Sequence, residues 1–167
     1  MAWKLISDTT ITTAVTPLLV TGIPATYTDL WVSISARNSS NENPFKVNVN
    51  GTGAGHDGKN LGVYPSGTPF YQLNPSGGGL WEMYGTATGG GLYWGVNNFY
   101  FKNYATSDSP KVTWAYSGVP NNGGYQLGFH GLSWSNTSAI SSLTLTNKAA
   151  TNFDVGTRVV IYGILVS

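Results

Sequence analysis

What most constrains this chain is a two-residue rhythm that recurs along it, with no helical stripe of useful length to compete. In "LWVSISAR", Val32, Ile34 and Ala36 fall on one side, with Trp31, Ser33 and Ser35 on the other. In "FKVNVNG", Phe45, Val47 and Val49 alternate with Lys46, Asn48 and Asn50. "KVTWAYSG" sets Val112, Trp114 and Tyr116 opposite Lys111, Thr113 and Ala115, and "YQLGFHGL" sets Leu127 and Phe129 against Gln126, Gly128 and His130. "SSLTLTN" repeats the pattern with Leu143 and Leu145. Successive side chains of a strand point to opposite faces, so each segment has one apolar row and one polar row. Burying the apolar rows and wetting the polar ones gives antiparallel sheets packed in two layers.

Composition agrees. The chain has 167 residues, with 22 Gly, 8 Pro and 13% aromatic residues, and is poor in helix formers outside Leu and Ala. Thr, Val, Tyr and Trp suit pleated surfaces better than helix surfaces. The expectation is one all-β domain over residues 1–167: an antiparallel two-sheet β-sandwich with long Gly- and aromatic-rich loops in the middle. A net charge of +1 with scattered Lys and Arg offers no grip on a phosphate backbone, so nucleic acid is not an expected partner. Cysteine is absent, which removes disulfides and thiolate metal sites. "MAWKLISDTT" lacks the apolar run of a secretory signal, and no stretch approaches the ~20 apolar residues of a membrane helix. A soluble protein that stays in the compartment that made it is expected.

The segment "FDVGTRVVIYGILVS" poses a packing problem. After the turn signal Asp154-Val155-Gly156, the run from Val159 to Ile164 is almost wholly apolar or β-branched. Such a strand at a sheet edge would pair with other chains. It is expected between two other strands or at a subunit joint, with Gly163 allowing a close approach of backbone or ring.

From Gly51 to Gly95 the chain reads as loop, with room for one or two short strands. Glycine triplets at Gly77–Gly79 and Gly89–Gly91 bracket Leu80-Trp81-Glu82-Met83-Tyr84. Its many rings argue against disorder. Trp81, Tyr84, Tyr93 and Trp94 either fill the ends of a sandwich or a subunit joint, or form a stacking platform for a ligand. "GAGHDG" at Gly53–Gly58 matches G-x-G-x-x-G, but "KNLGVYPSG" follows and cannot open the helix a dinucleotide needs. It reads as a flexible hairpin loop. His56 and His130 are the two histidines, and the seven acidic residues do not cluster in sequence. No nucleophile–base pair, carboxylate pair or metal-ligand spacing stands out, so no catalytic, cofactor or metal residues are assigned.

Several segments together resemble small structural proteins of tailed bacteriophages. "TGIPATYTDLWVSISAR" resembles their recurring "IP-x-x-YTDL" strand, and "FKVNVNG" the strand and turn that follow. "FKNYATSDSPK" is similar to their "NYAS…K" strand. "GFHGLSWSNTSAISSLTLTNKAATNFDVGTRVVIYGI" is similar to their C-terminal pattern of a "T-x-AI-x-SL-x-L" strand and a closing "YGI". The resemblance covers about half the chain, at both ends, and lapses between about Gly53 and Asn97.

It implies a jelly-roll-like sandwich in a virion surface component, with no catalytic residues or cofactor. The expectation is a capsid decoration (cement) protein on the outside of the head, assembled in the host cytoplasm. Its partners would be copies of itself, as a trimer, and the major capsid protein. The N-terminal segment 1–16, with Trp3 and Leu5, and the aromatic insert are the expected contact regions. The alternative is a head-fibre or tail-fibre module binding a receptor or host-surface glycan; a tail-fibre subunit would be expected to carry a shaft, which is not seen here.

Overall fold

Among the residues described by the computed structural model (1–38, 44–63, 66–73, 81–84, 94–121, 124–147 and 151–165) there are twelve strands and no helix. They are β1 (Ala2–Thr10), β2 (Leu18–Val20), β3 (Asp29–Ala36), β4 (Pro44–Val49), β5 (His56–Val63) and β6 (Pro69–Leu73). After them come β7 (Trp81–Tyr84), β8 (Gly95–Phe101), β9 (Lys111–Asn121), β10 (Gly124–Trp134), β11 (Leu143–Asn147) and β12 (Arg158–Leu165). The larger sheet runs β1-β12-β3-β8-β9-β10-β5-β6 and the smaller β2-β11-β4-β7. All pairings are antiparallel. The chain passes repeatedly from one sheet to the other, and only β5–β6, β8–β9 and β9–β10 pair as consecutive neighbours. This is the two-sheet antiparallel sandwich that the alternation implies.

The turn chemistry explains one crossing. Asn50 and Gly51 both hold left-handed backbone, at φ 52° and 67°, conformations Asn and Gly tolerate best. The Asn50 side chain is tied down as well. Its Oδ1 accepts from Ser141 N–H (2.8 Å) and Ser142 N–H (3.1 Å), and its Nδ2 donates to Ala139 O (2.7 Å). The dipeptide therefore leads the chain out of β4 toward the larger sheet while pinning the segment before β11.

Between the sheets, the inward rows of β3 (Leu30, Val32, Ile34) and β12 (Val159, Ile161) meet those of β4 (Phe45, Val47, Val49) and β11 (Leu143, Leu145). Phe99, Phe101, Trp134 and Phe153 complete this core, and all are essentially inaccessible. The apolar closing strand sits where it can be protected: β12 lies between β1 and β3, with Tyr162 opposite both Leu5 and Trp31. The Tyr27 ring lies against Gly163 where any Cβ would overlap it.

The middle of the chain is more regular than its composition suggests. Three strands, β5, β6 and β7, fall within the stretch read as loop with one or two strands. "GAGHDG" is not a loop throughout, because its last three residues open β5. The reason is pairing: β5 pairs with β10 along its whole length, from His56 to Val63, and with β6 from Lys59 to Val63. Context of this kind overrides the poor strand propensity of Gly, Asp, Asn and Lys. The triplets Gly77–Gly79 and Gly89–Gly91 lie outside the described residues.

Candidate interaction surface

Across half of the larger sheet the apolar and polar rows are the reverse of what the alternation suggests. On β9, Lys111, Thr113, Ala115 and Ser117 face inward and are buried, while Val112, Trp114 and Tyr116 face solvent. On β10, Gln126 and His130 are buried, while Leu127 and Phe129 are 58% and 54% exposed. These outward rows are a correction to the expectation that each strand buries its apolar side.

The polar rows can be inside because they satisfy one another. Lys111 Nζ donates to the carbonyls of Ser109 and Thr137, both at 3.0 Å, and to that of Thr106. This backbone cage compensates a buried ammonium, although burial still pulls its pKa down. Further along the layer, Asn60, Ser117 and His130 form a chain. Asn60 Oδ1 can only accept, so His130 carries its proton on Nδ1 and donates it there (2.8 Å). Nε2 is then left to accept from the Ser117 hydroxyl at 2.9 Å. Burial pushes the His130 pKa down to about 4, so the ring is neutral at pH 7.

Hydroxyl, imidazole and amide in that order are also the parts of a nucleophile–base–orienter set. Here all three are 4% exposed or less. The imidazole is a weak base, and a Cβ at Gly128 would already touch His130 Nε2 and Ser117 Oγ. The arrangement holds β5, β9 and β10 together from beneath. His56 plays a similar part further along β5. Its Nε2 accepts from Val49 N–H (3.3 Å), its ring stacks on Trp134 at 6.0 Å, and burial lowers its pKa to about 4 against a weaker opposing effect of the Ala54 carbonyl.

On the outer side the strand register lines up rings that range from half-buried to exposed. Tyr162, Trp31, Tyr100 and Trp114 are direct cross-strand neighbours on β12, β3, β8 and β9. Tyr116, Phe129, Leu61 and Tyr71 form the adjacent row on β9, β10, β5 and β6. Ring centroids step across the sheet from Trp3 to Trp31 (6.0 Å), Trp31 to Trp114 (6.2 Å) and Trp114 to Phe129 (6.4 Å). Tyr116 joins Trp31 at 6.0 Å and Tyr100 joins Trp114 at 5.2 Å. These tilted, edge-on and stacked separations are favourable ring geometries. The Tyr100 hydroxyl donates to Asp29 Oδ2 at 2.5 Å, which raises its pKa to about 12, with burial adding to the effect. A shallow depression of about 350 Å³ opens among Leu61, Val63, Tyr116, Leu127 and Phe129.

Of the residues singled out from sequence, Trp3 and Leu5 lie on this face, each about half exposed, at its β1 edge. Trp81 and Tyr84 bound β7, which pairs with β4 and crosses β8, β9, β10 and β5; their side chains lie outside the described residues. Tyr93 lies outside them entirely. Trp94 is half-buried, with the Arg37 guanidinium 4.9 Å over its ring and Gly156 against its edge. Arg37 in turn donates to Asp154 Oδ2 at 2.8 Å. The described acids are engaged locally: Asp8 accepts two bonds from Arg158, and Asp57 accepts from Gly58 N–H. Among the described residues no three His, Asp or Glu side chains gather as a metal site.

The residues that sequence reasoning missed as surface are Leu61, Tyr71, Val112, Trp114, Tyr116, Tyr125, Leu127 and Phe129. The signal was available in part: a row containing Lys, Gln and His opposite a row of rings is ambiguous once a network can bury the polar side. No protein-family model matches the chain, and no curated protein matches it.

Proposed function

We propose that the chain is a non-enzymatic structural protein of a tailed-bacteriophage virion, serving as a decoration (cement) protein on the outside of the head. The observation that carries this reading is the outward aromatic face of the larger sheet. Large contiguous apolar surface on a folded domain marks a place where another protein sits. The phage-like strand motifs at both ends of the chain supply the context. On this reading the protein assembles in the host cytoplasm as a trimer and binds the major capsid protein. Many modest contacts repeated over the shell add up through multivalency. The Trp3 and Leu5 edge of the face is the part offered to the capsid.

The test is the number of copies per purified particle, by quantitative peptide mass spectrometry against the major coat protein. Hundreds of copies are expected. A few dozen or fewer would move the protein to the tail or a single vertex, and absence from particles would end the reading. A second reading, a receptor- or glycan-binding fibre module, is favoured by the exposed faces of Trp3 and Trp114, which suit sugar stacking. A glycan screen with Trp114→Ala as control separates it, since a cement protein shows no sugar dependence.

A further inference from the structure

We infer that the β9–β10–β5–β6 half of the outer face is the surface through which copies of this chain associate with each other. The inference rests on the structural-protein reading only in taking the partner to be another copy; the surface itself follows from the inverted strands.

Area is the first argument. Five rings of this half, Tyr71, Trp114, Tyr116, Tyr125 and Phe129, are between 41% and 70% exposed. At about 200 Å² for a whole aromatic side chain they present roughly 500 Å². The aliphatic side chains between them, Leu61, Val63, Val112 and Leu127, are 39% to 66% exposed and bring the total to about 800 Å². That is about what each partner contributes to a standard stable interface, and it exceeds the largest patch of a typical monomer.

Chemistry is the second. Charge within this half is one residue of each sign on β5: Asp57, in the cross-strand row of Val112, and Lys59, in that of Trp114; the Asp8–Arg158 pair lies away on β1 and β12. With one charge of each sign the patch is neutral on balance, so it can meet its own copy without net repulsion, and the whole chain carries only +1. A sugar site would set hydrogen-bonding side chains among the rings. Around Tyr116 and Phe129 it is Leu61, Val63 and Leu127 that fill the gaps instead.

Shape is the third. The same surface carries a hollow of about 350 Å³ and, beside it on β10, Tyr125 standing 70% exposed. A knob and a hole on one patch are what self-association needs. The polar network beneath, Asn60–His130–Ser117, holds these three strands rigid, so the patch is preformed.

The experiment is light scattering on the purified full chain from 1 to 100 µM, for wild type and for the Tyr116→Lys/Leu127→Lys double variant. Wild type is expected at a small multiple of 17.7 kDa. The double variant is expected at 17.7 kDa, with its dissociation constant raised at least 100-fold and its circular dichroism unchanged. A wild-type monomer at 100 µM overturns the inference, including one that binds capsid protein or glycan through this face. An oligomer that survives in the double variant also overturns it. Should the variant fail to fold, hydroxyl-radical footprinting of wild type decides. Protection of Trp114 and Tyr125 that rises with concentration supports the interface, and unchanged reactivity refutes it. Copy number on particles is a separate reading: a monomer abundant on heads sinks only this inference, and an oligomer absent from particles sinks only the virion assignment.

Discussion

Acidification from pH 7 to pH 5 asks two buried imidazoles to take up protons they cannot solvate. In the unfolded chain both histidines titrate near 6.5; in the fold, burial lowers His56 and His130 to about 4. Between these values the unfolded state binds more protons than the native state, so stability falls as pH falls through that window. Integrating one such shift from pH 7 down to pH 5 gives a loss of about 2 kcal/mol per histidine, and about 4 for the pair. Total stability for a domain is ~5–15 kcal/mol, so the effect is large. At one of the two rings a hydrogen bond points the same way. His56 Nε2 accepts from Val49 N–H, so protonation there forfeits that bond, whereas the Ser117 hydroxyl can turn to accept from a protonated His130 Nε2. The assay is urea unfolding at pH 7, 6 and 5 at one protein concentration, since association also adds stability. The His130→Asn variant should start less stable at pH 7 and lose only about half as much on acidification. A wild-type stability that is flat from pH 7 to pH 5 would refute the reasoning, because it would mean both rings reach solvent without cost.

Other outcomes follow from single contacts. Ile161→Asp puts a charge at a wholly buried site in β12 and should leave no cooperative thermal transition; Thr144→Lys, on the partly open side of β11, should melt within about 0.5 kcal/mol of wild type. Asn50→Ala removes the side chain's hydrogen bonds to Ala139, Ser141 and Ser142 and strains a left-handed residue, for a loss of about 3 kcal/mol in chemical denaturation. Gly163→Val must displace the Tyr27 ring and should cost more than 2 kcal/mol, with Gly163→Ala intermediate; equal stability of all three would mean that Tyr27 does not occupy that space.

The sandwich and the placing of β12 were legible because their causes are local. An unbroken apolar run has few places to go, and the alternation of β3 and β4 repeats a hydrophobic row that is in fact buried. The outer face was not legible, because period alone does not say which row points inward. That choice was made by residues far apart in sequence. Asn60 satisfies His130 across the β5–β10 pairing, and the Thr137 carbonyl helps to cage Lys111. No window along the chain contains both members of either pair. β5 was missed for a related reason: "HDGKNLGV" has weak strand character, and its regularity comes from its two neighbours. Trp3 and Leu5 were named as contact residues from the resemblance, and the fold places them at the β1 edge of the outer face. Trp94 was singled out as an open ring, but only the fold brings Arg37 over it.

The position of β12 also bears on how the protein is made. Among the described residues the one strand partner of β1 is β12, with Ala2 opposite Leu165 and Thr10 opposite Arg158. At ~5–20 residues per second, β12 leaves the ribosome roughly ten to thirty seconds after β1. Through that interval β3 can pair with β8 while its other edge waits unfilled, and β1 has nowhere to dock. On a crowded polysome, neighbouring nascent chains present the same vacant slot side by side. A β12 from one chain can enter the slot of the next, which is the starting point for a strand-swapped assembly.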